Sequence, residues 1–473
     1  MARIRRGRVV RSDDRQYLSY RRWWRKTGLR RLTRHRGRAP YRRTHRNRNP
    51  RRDRGMSRLA IFGGKPEIDT PFVPYNRIGE AEREAVLGTL ESGLLSGYIG
   101  APGPEFEGGP EVQELESLWA GMFNTAHAVA VNSATSGLFA ALGACGISPG
   151  DEVIVPPYSM SATAVAPYVY GGIPVFVDIE ADTFCLNIEC VRATITDRTK
   201  AIIAVNLFGH PARLGELRAL ADSHGIYLVE DNAQAPLATE NGILCGTIGH
   251  IGVFSLNRHK HIQTGEGGVC TTDDADLAFR LKLIRNHGEN LIEHYSAQSA
   301  QDLVGFNYRL SELSAAIGRV QLNRAKEIIA EREAFALRLS VGVLGIPGLI
   351  PPHVREGCRH TFYAWPMRYD RNVVGVPRGV FIQAMAAEGV PLNGGYVPPL
   401  YRLPIFAARE SRGGATECPV TERMHSSEEV GFGICAFELS DRLVDHIAAA
   451  FHKVYENRAE LERLSTDSHA QLT

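Results

Sequence analysis

Lysine is scarce in this chain. Of its 55 basic side chains only seven are lysine, at positions 26, 65, 200, 260, 282, 326 and 453. Long apolar stretches are missing too. With no run of about 18 apolar residues, no transmembrane helix is expected. The eight cysteines (Cys145, Cys185, Cys190, Cys245, Cys270, Cys358, Cys418 and Cys435) include no CxxC pair. They fall mostly in apolar or mixed surroundings. That argues against a zinc site and a disulfide framework, and for free thiols in a reducing cytosol. No internal repeat is present.

What remains is ordinary globular material. The 473 residues are 44% hydrophobic and 23% charged, enough for two domains. The net charge of +3 hides a split: residues 1–54 hold 22 basic side chains against Asp13, Asp14 and Asp53, a net +19. The rest holds 33 basic and 49 acidic residues, a net −16.

Three readings compete for residues 1–55. A basic arm suits nucleic acid or anionic lipid. An Arg-rich, acid-poor leader resembles an organelle transit peptide, but serine is sparse and no amphipathic period is clear. The third reading places the natural start at Met56, where "MSRLAIFGGKPEI" looks like a normal enzyme N-terminus. A bias of 48 arginines to seven lysines fits a GC-rich gene, whose upstream frames tend to be Arg-rich. This last reading, with no nucleic acid or membrane partner, is the one adopted. The segment has too few regularly spaced apolar residues for a core, so it is expected to be disordered.

From about residue 127 the pattern alternates short β-rich runs with helical ones. Strands are predicted at 127–131, 152–156, 173–179, 200–209, 226–231, 251–256 and 267–272. Helical patterns include Leu214–Ser223, Ala275–Asn286, a long one from Ser311 to about Leu339, and one near 440–463. The strands are nearly continuous apolar runs, as in a sheet covered on both faces. Alternating order implies an α/β fold with a mostly parallel sheet. The expected division is a large domain over 56–335 and a smaller C-terminal domain over 336–473.

Several strand ends carry chemistry. After Val131 the chain reads Asn132-Ser133-Ala134-Thr135-Ser136-Gly137 and enters a helical pattern. Small residues there expose N–H groups at a helix N-terminus, a geometry that binds phosphate. A plain capped helix reads the same way. Asp231 ends an apolar strand in "YLVEDNAQA". It sits at the carboxyl edge where α/β sheets hold ligands. A carboxylate there needs a partner, either a helix to cap or a cationic ligand atom. In "FSLNRHKHIQTGEGG" (254–268), Ser255 follows a strand and Lys260 lies five residues later. A buried lysine with a lowered pKa is a nucleophilic amine. A lone lysine is more often a solvated loop residue.

The conjunction decides. A phosphate cradle, a strand-end Asp, a Ser and a Lys in one α/β domain are the parts that hold pyridoxal 5'-phosphate. Its phosphate needs donors, its ring nitrogen an anion, and its aldehyde an amine. Arginine cannot be deprotonated in a protein, so an exception to the arginine habit is intelligible at position 260. No metal site is expected.

The sequence resembles the DegT/DnrJ/EryC1/StrS sugar aminotransferases, of fold type I among pyridoxal-phosphate enzymes. The resemblance starts near Met56 and is carried by eight blocks in order: "NSATSGL" (132–138), "GDEVIVPPYSMSAT" (150–163), "PVFVDIEADTF" (174–184), "TKAIIAVNLFGHPA" (199–212), "VEDNAQA" (229–235), the 254–268 stretch, "RNHGEN" (285–290) and "GFNYRLSELSAAIG" (305–318). It implies a central mostly parallel sheet flanked by helices, plus a smaller C-terminal α+β domain.

By that resemblance, Lys260 is the residue that bonds the cofactor aldehyde and moves the proton. Asp231 pairs with the pyridine nitrogen and Gln234 with the ring hydroxyl. Ser255 and Thr135 bring hydroxyls to the phosphate, and Ala134 and Thr135 bring N–H groups. Asn307 reaches the phosphate from the neighbouring subunit, which implies a homodimer with shared active sites. The family's usual aromatic over the ring is replaced by Met160 in this alignment, with Tyr158 two residues earlier as the aromatic alternative. Met is polarizable and can lie against a ring. Tyr98, His259, His287 and Tyr396 are candidates for the sugar pocket.

The implied activity is transfer of an amino group, with glutamate the expected donor, to a keto or aldehydo sugar that is often nucleotide-linked. It would serve polysaccharide or secondary-metabolite biosynthesis in the cytoplasm. One rival is a sugar dehydratase of the same family, but those relatives carry His where Lys260 stands. Another is a regulator with a basic nucleic-acid-binding arm, which would need a DNA-binding fold that residues 1–55 do not show.

Overall fold

The computed structural model describes residues 58–291, 303–408 and 417–462. The Arg-rich segment, and with it the expected disorder of residues 1–55, lies outside the described residues. A seven-stranded sheet forms the centre. Its strands are β1 (His127–Val131), β2 (Glu152–Val155), β3 (Ile173–Phe176), β4 (Thr199–Val205), β5 (Tyr227–Asp231), β8 (Ile251–Ser255) and β9 (Gly268–Thr272), with a hairpin, β6 (Thr239–Glu240) and β7 (Ile243–Leu244), between β5 and β8. The order is β1-β9-β8-β5-β4-β2-β3. Neighbours from β8 to β3 are parallel, and only β9 runs against both of its neighbours.

The strands are apolar throughout because both faces are covered. Successive side chains point to opposite faces, and they enter different cores. Val153, Val155, Ala201 and Ile203 join one apolar cluster, while Ile154, Ile202 and Ala204 join another.

Helices of ten residues or more are α1 (Glu80–Ser92), α2 (Pro110–Phe123), α3 (Ala134–Ala144), α4 (Leu214–His224), α5 (Ala275–Arg285), α6 (Glu312–Val343), α7 (Arg378–Ala387) and α8 (Asp441–Glu456). Their starts are legible in side chains that cap free N–H groups. Ser133 accepts from Ser136, Asp274 from Asp276 and Leu277, Ser311 from Ser314, and Ser440 from Leu443.

Two predicted strands end early. The 200–209 run leaves the sheet after Val205, because Leu207–Gly209 form a tight turn with Phe208 at φ 59°. The Phe208 N–H then bonds Gln234 Oε1 at 2.7 Å instead of a strand. The 173–179 run stops at Phe176. Two residues on, Asp178 accepts N–H bonds from Val420 and Thr421 at 2.8 and 2.9 Å, tying a C-terminal turn to the sheet.

The C-terminal region adds β10 (Leu349–Ile350), β11 (Cys358–Arg359), β12 (Trp365–Tyr369), β13 (Asn393–Gly394) and β14 (Glu429–Phe432). Four of them form an antiparallel sheet in the order β10-β12-β14-β13. Its core is shared with α7, α8, the C-terminal half of α6, and Leu59 and Ile68 from the start of the described chain. β11 instead pairs with β6, so a strand from this region completes a sheet begun in the larger one. None of the described helices is long and apolar enough to cross a membrane.

Candidate active site

The lysine loop is a closed turn between two adjacent strands. Leu256 N–H bonds Gly267 O at 2.8 Å, Arg258 N–H bonds Gly265 O at 2.9 Å, and Thr264 N–H bonds Leu256 O at 2.9 Å. Gly265 at φ 84° allows the return. Lys260 is carried inward, only 8% exposed. Its Nζ lies 4.7 Å from the centroid of the Tyr363 ring. Burial pushes its ammonium down to about 8, opposed by the Asp231 carboxylate and the Cys435 thiol. Near neutrality the amine is therefore partly free base, unlike an ordinary lysine.

Asp231 closes β5, the strand beside β8. Its Oδ2 accepts from Thr163 Oγ1 at 2.9 Å, and its Oδ1 from Ala233 N–H at 3.2 Å. Burial raises its pKa, while the Thr163 hydroxyl, the Ala233 N–H and Lys260 lower it. A carboxylate has about four acceptor sites, so this one retains room for a further cationic donor. Gln234, one turn on, is held at both ends. Its Oε1 takes the Phe208 N–H, and its Nε2 donates to Tyr396 OH at 2.9 Å.

The N-terminus of α3 faces the same strand ends. Ser133 Oγ takes the Ser136 N–H, and Ser133 O takes that of Gly137. That leaves the N–H groups of Ala134 and Thr135 as the helix's first donors. Gly268, paired with Ser255 across β8 and β9, packs against this turn. A Cβ at Gly268 would lie 2.7 Å from Ala134 N and from Ser133 C. The glycine thus lets the helix start, with the Ala134 and Thr135 N–H groups, sit against β9 beside the strand that carries Ser255.

The remaining candidates separate by depth. Met160 is 61% exposed at the start of the short Ser161–Val165 helix. Tyr396 is half-buried, and its hydroxyl reaches Gln234. His259 is exposed, with its ring 6.1 Å from that of Tyr363. His287 sits at φ 53°, its Nδ1 3.7 Å from Glu289 Oε1. Tyr158 and Tyr98 lie inside. Tyr158 is fully buried, donating to Glu429 Oε2 and accepting from Tyr396 N–H. Tyr98 is 6% exposed, and the Arg285 guanidinium lies 4.9 Å from its ring. Asn307 is exposed, and its carbonyl accepts from Asn132 Nδ2 at 3.3 Å.

Two neighbours of the site were not singled out in the sequence. Thr163 stands three residues after Met160, inside the quoted "SMSAT" block, so its place on a turn after β2 was the available signal. Tyr363 comes from the C-terminal region, about 100 positions away, and nothing local marks it. His261, adjacent to Lys260, turns away: it is fully buried, with Nε2 2.9 Å from Thr361 O.

This donor set fits pyridoxal phosphate. The Gly268 cradle leaves two N–H groups for a phosphate, Asp231 is a buried anion with unused capacity, and Lys260 is an amine with a lowered pKa. The two-sided sheet with its second, smaller C-terminal sheet and its inward lysine loop belongs to fold type I of the pyridoxal-phosphate enzymes. Residues 101–451 match the DegT/DnrJ/EryC1/StrS aminotransferase family, and the chain belongs to it. It is 37% identical over 327 residues to the spore coat polysaccharide biosynthesis protein SpsC of Bacillus subtilis, covering 67% of this chain and 81% of that one. It is 33% identical over 429 residues to the L-glutamine:2-deoxy-scyllo-inosose aminotransferase of Streptomyces fradiae, covering 86% and 99%. Among solved structures, it superposes on DesI with its TDP-sugar product at a TM-score of 0.74 and 28% identity, covering 88% of this chain and 100% of that one.

Proposed function

We infer that this enzyme transfers an amino group from an amino acid to a keto or aldehydo carbon of a sugar, free or nucleotide-linked, using pyridoxal phosphate. The observation that carries the reading is the buried Lys260 amine on the loop after β8, next to the strand that ends at buried Asp231 and to the helix start at Ala134. The similarity to DesI, solved with a TDP-sugar product, supports a sugar acceptor. The name of the Streptomyces relative supports glutamine beside glutamate as donor, and a polyhydroxylated ring ketone as acceptor.

When bound, the cofactor supplies an electron sink for the carbon that loses its proton. The chain supplies the rest. Ala134 and Thr135 N–H groups, with the Thr135 and Ser255 hydroxyls, hold the phosphate. Asp231 keeps a proton on the pyridine nitrogen, and Gln234 orients the ring's hydroxyl edge. Lys260 Nζ would take the proton from the amino-bearing carbon of the donor and hand it to the cofactor's aldehyde carbon, and would run the same transfer in reverse for the acceptor. Tyr363 flanks Nζ and limits its swing. Met160, exposed just before the Ser161–Val165 helix, would be the side chain that covers the ring. Tyr396, His259 and His287 would face the acceptor, and Tyr158, buried against Tyr396, would support it, while buried Tyr98 would act only from the interior.

Two copies are proposed to share these sites, with Asn307 reaching across. The apolar side of α1 and the following loop support this: Leu87, Leu90, Leu94, Leu95 and Ile99 are 40–55% exposed. A second copy would cover them. The compartment proposed is the cytoplasm, whose reducing medium suits cysteines that form no disulfide. The dehydratase reading is disfavoured by Lys260 itself.

The test is spectroscopic and then catalytic. Purified protein with added pyridoxal phosphate should show a visible absorption band that Lys260→Ala lacks. Glutamate and glutamine should each be assayed across a panel of keto and aldehydo sugars and cyclitol ketones. Absence of the band in wild-type protein sinks the reading. Light scattering of the purified protein reports whether it is a dimer.

A further inference from the structure

Besides Tyr363, the C-terminal region reaches the candidate site through a short segment, residues 395–400. It leaves edge strand β13 at Gly395, whose N–H bonds Glu429 O at 3.2 Å on β14. It then crosses to the loop that follows β2. Tyr396 N–H bonds Tyr158 OH at 2.7 Å, and Leu400 N–H bonds Pro157 O at 2.8 Å. Beyond this clasp the Tyr396 hydroxyl accepts from Gln234 Nε2, and its ring meets Phe208 edge-on at 5.0 Å.

The Tyr396 end of the clasp depends on one hydroxyl. Tyr158 OH has a single proton, and an acceptor elsewhere holds it away so that a lone pair faces Tyr396 N–H. The acceptor is Glu429 Oε2 at 3.4 Å, a long bond from a carboxylate that is 1% exposed. Burial pushes Glu429 up to about 7, opposed by Arg378, by the N–H groups of Gly395 and Tyr396, and by the Tyr158 hydroxyl. Arg378 is itself fixed by carbonyls, donating to Glu429 O at 2.9 Å and to His425 O at 2.9 Å. A buried carboxyl on the C-terminal sheet therefore sets the direction of a hydroxyl on the large-domain loop.

We propose that Glu429 and Tyr158 are positioning residues, which lock the Tyr396 segment onto the large domain and so determine how the acceptor sugar is seated. Neither touches the reacting atoms. This rests on the sugar-aminotransferase reading, with Tyr396 as the residue that meets the acceptor. Both half-reactions use Lys260, but the small amino donor needs less of the wall that Tyr396 forms than the larger sugar does, so the two half-reactions respond differently.

The experiment compares Tyr158→Phe, Glu429→Gln and Glu429→Leu in the full chain. The first readout needs no catalysis: amide exchange of residues 393–398, measured with and without pyridoxal phosphate. Tyr158→Phe removes the partner of Tyr396 N–H, so exchange there should quicken by about tenfold, the effect of one lost hydrogen bond. Glu429→Leu should do the same, while Glu429→Gln keeps an acceptor oxygen and should restore slow exchange. The second readout is kinetic. In Tyr158→Phe the acceptor KM should rise by about tenfold, the same loss expressed in binding. The donor half-reaction should slow by less than the acceptor half-reaction. Unchanged exchange in both Tyr158→Phe and Glu429→Leu overturns the proposal. So does faster exchange with an unaltered acceptor KM, or an equal loss in both half-reactions. Should Tyr158→Phe fail to fold, the Glu429 pair decides alone. Absence of any transamination in wild-type protein removes the functional reading but leaves the exchange result standing.

Discussion

Thr163 donates its hydroxyl to Asp231 at 2.9 Å, from a short helix after β2 to the end of β5. This bond and the Ala233 N–H offset part of the burial that raises the Asp231 pKa. Removing it should leave the carboxylate less ready to stay ionised. Thr163→Val keeps the shape and deletes the hydroxyl. A hydrogen bond to a charged group contributes about 1.5–3 kcal/mol, so pyridoxal phosphate affinity should fall by roughly 10- to 100-fold. Fluorescence titration of the apoprotein with the cofactor measures this. Unchanged affinity would show that Asp231 does not meet a cationic ring atom.

The Lys260 pKa of about 8 predicts a pH profile for cofactor attachment. The folded value is depressed, so the neutral amine accumulates as pH rises through 8, where an ordinary lysine would wait until about 10.4. The rate of appearance of the visible band, followed by stopped flow, should climb between pH 6 and 9 and then level. Lys260→Arg should show no band at any pH, because guanidinium stays charged.

The cradle predicts a contrast between two glycines. Gly268→Ala forces a Cβ to 2.7 Å from Ala134 N and 2.8 Å from Phe254 O, both backbone atoms that cannot swing aside. Overpacking of this kind costs about 1–3 kcal/mol and should also weaken phosphate binding. Gly88, inside α1, has nothing within 4 Å of an added Cβ. Gly88→Ala should be stabilising by up to about 1 kcal/mol from helix propensity. Thermal melts of the two variants, with and without cofactor, check both signs.

Buried histidines predict acid sensitivity. Burial pushes His261 down to about 4 and His210 to about 3, and it lowers His360 well below its usual value. These folded-state values lie below the unfolded one near 6.5, so the unfolded chain binds more protons. Stability is then present above pH 6.5 and lost as pH falls toward 4. Each such histidine steepens the loss by up to about 1.4 kcal/mol per pH unit. Denaturant melts between pH 7 and 4.5 should show a shallower slope in His261→Gln than in wild-type protein. Equal slopes would mean that His261 is not held neutral.

Much of the frame was legible from local signals. Apolar runs bounded by turns located the seven central strands, because burial on both faces leaves no polar position to hide them. The helical patterns from Ser311 and near 440 became α6 and α8, and the structure shows both serines capping their first turns. Strand ends were harder. The run through Phe208 stays apolar, yet it breaks because Gln234, 26 residues on, takes its N–H. The β6-β7 hairpin was not foreseen, since part of its pairing is with β11, far along the chain.

The same division runs through the site. Sequence alone determined which chemical groups stand at strand ends: an amine at 260, a carboxylate at 231, and small residues at a helix start near 134. These follow from chain order, because a parallel sheet puts the carboxyl ends of its strands along one edge. Only the tertiary structure decided what surrounds them. It put Thr163 on Asp231 and the Tyr363 ring beside Lys260, turned His261 away, and sank Tyr98 and Tyr158 into the interior. Those contacts join residues tens to hundreds of positions apart. Burial and pKa shifts depend on every group packed against a side chain, and no local pattern encodes that.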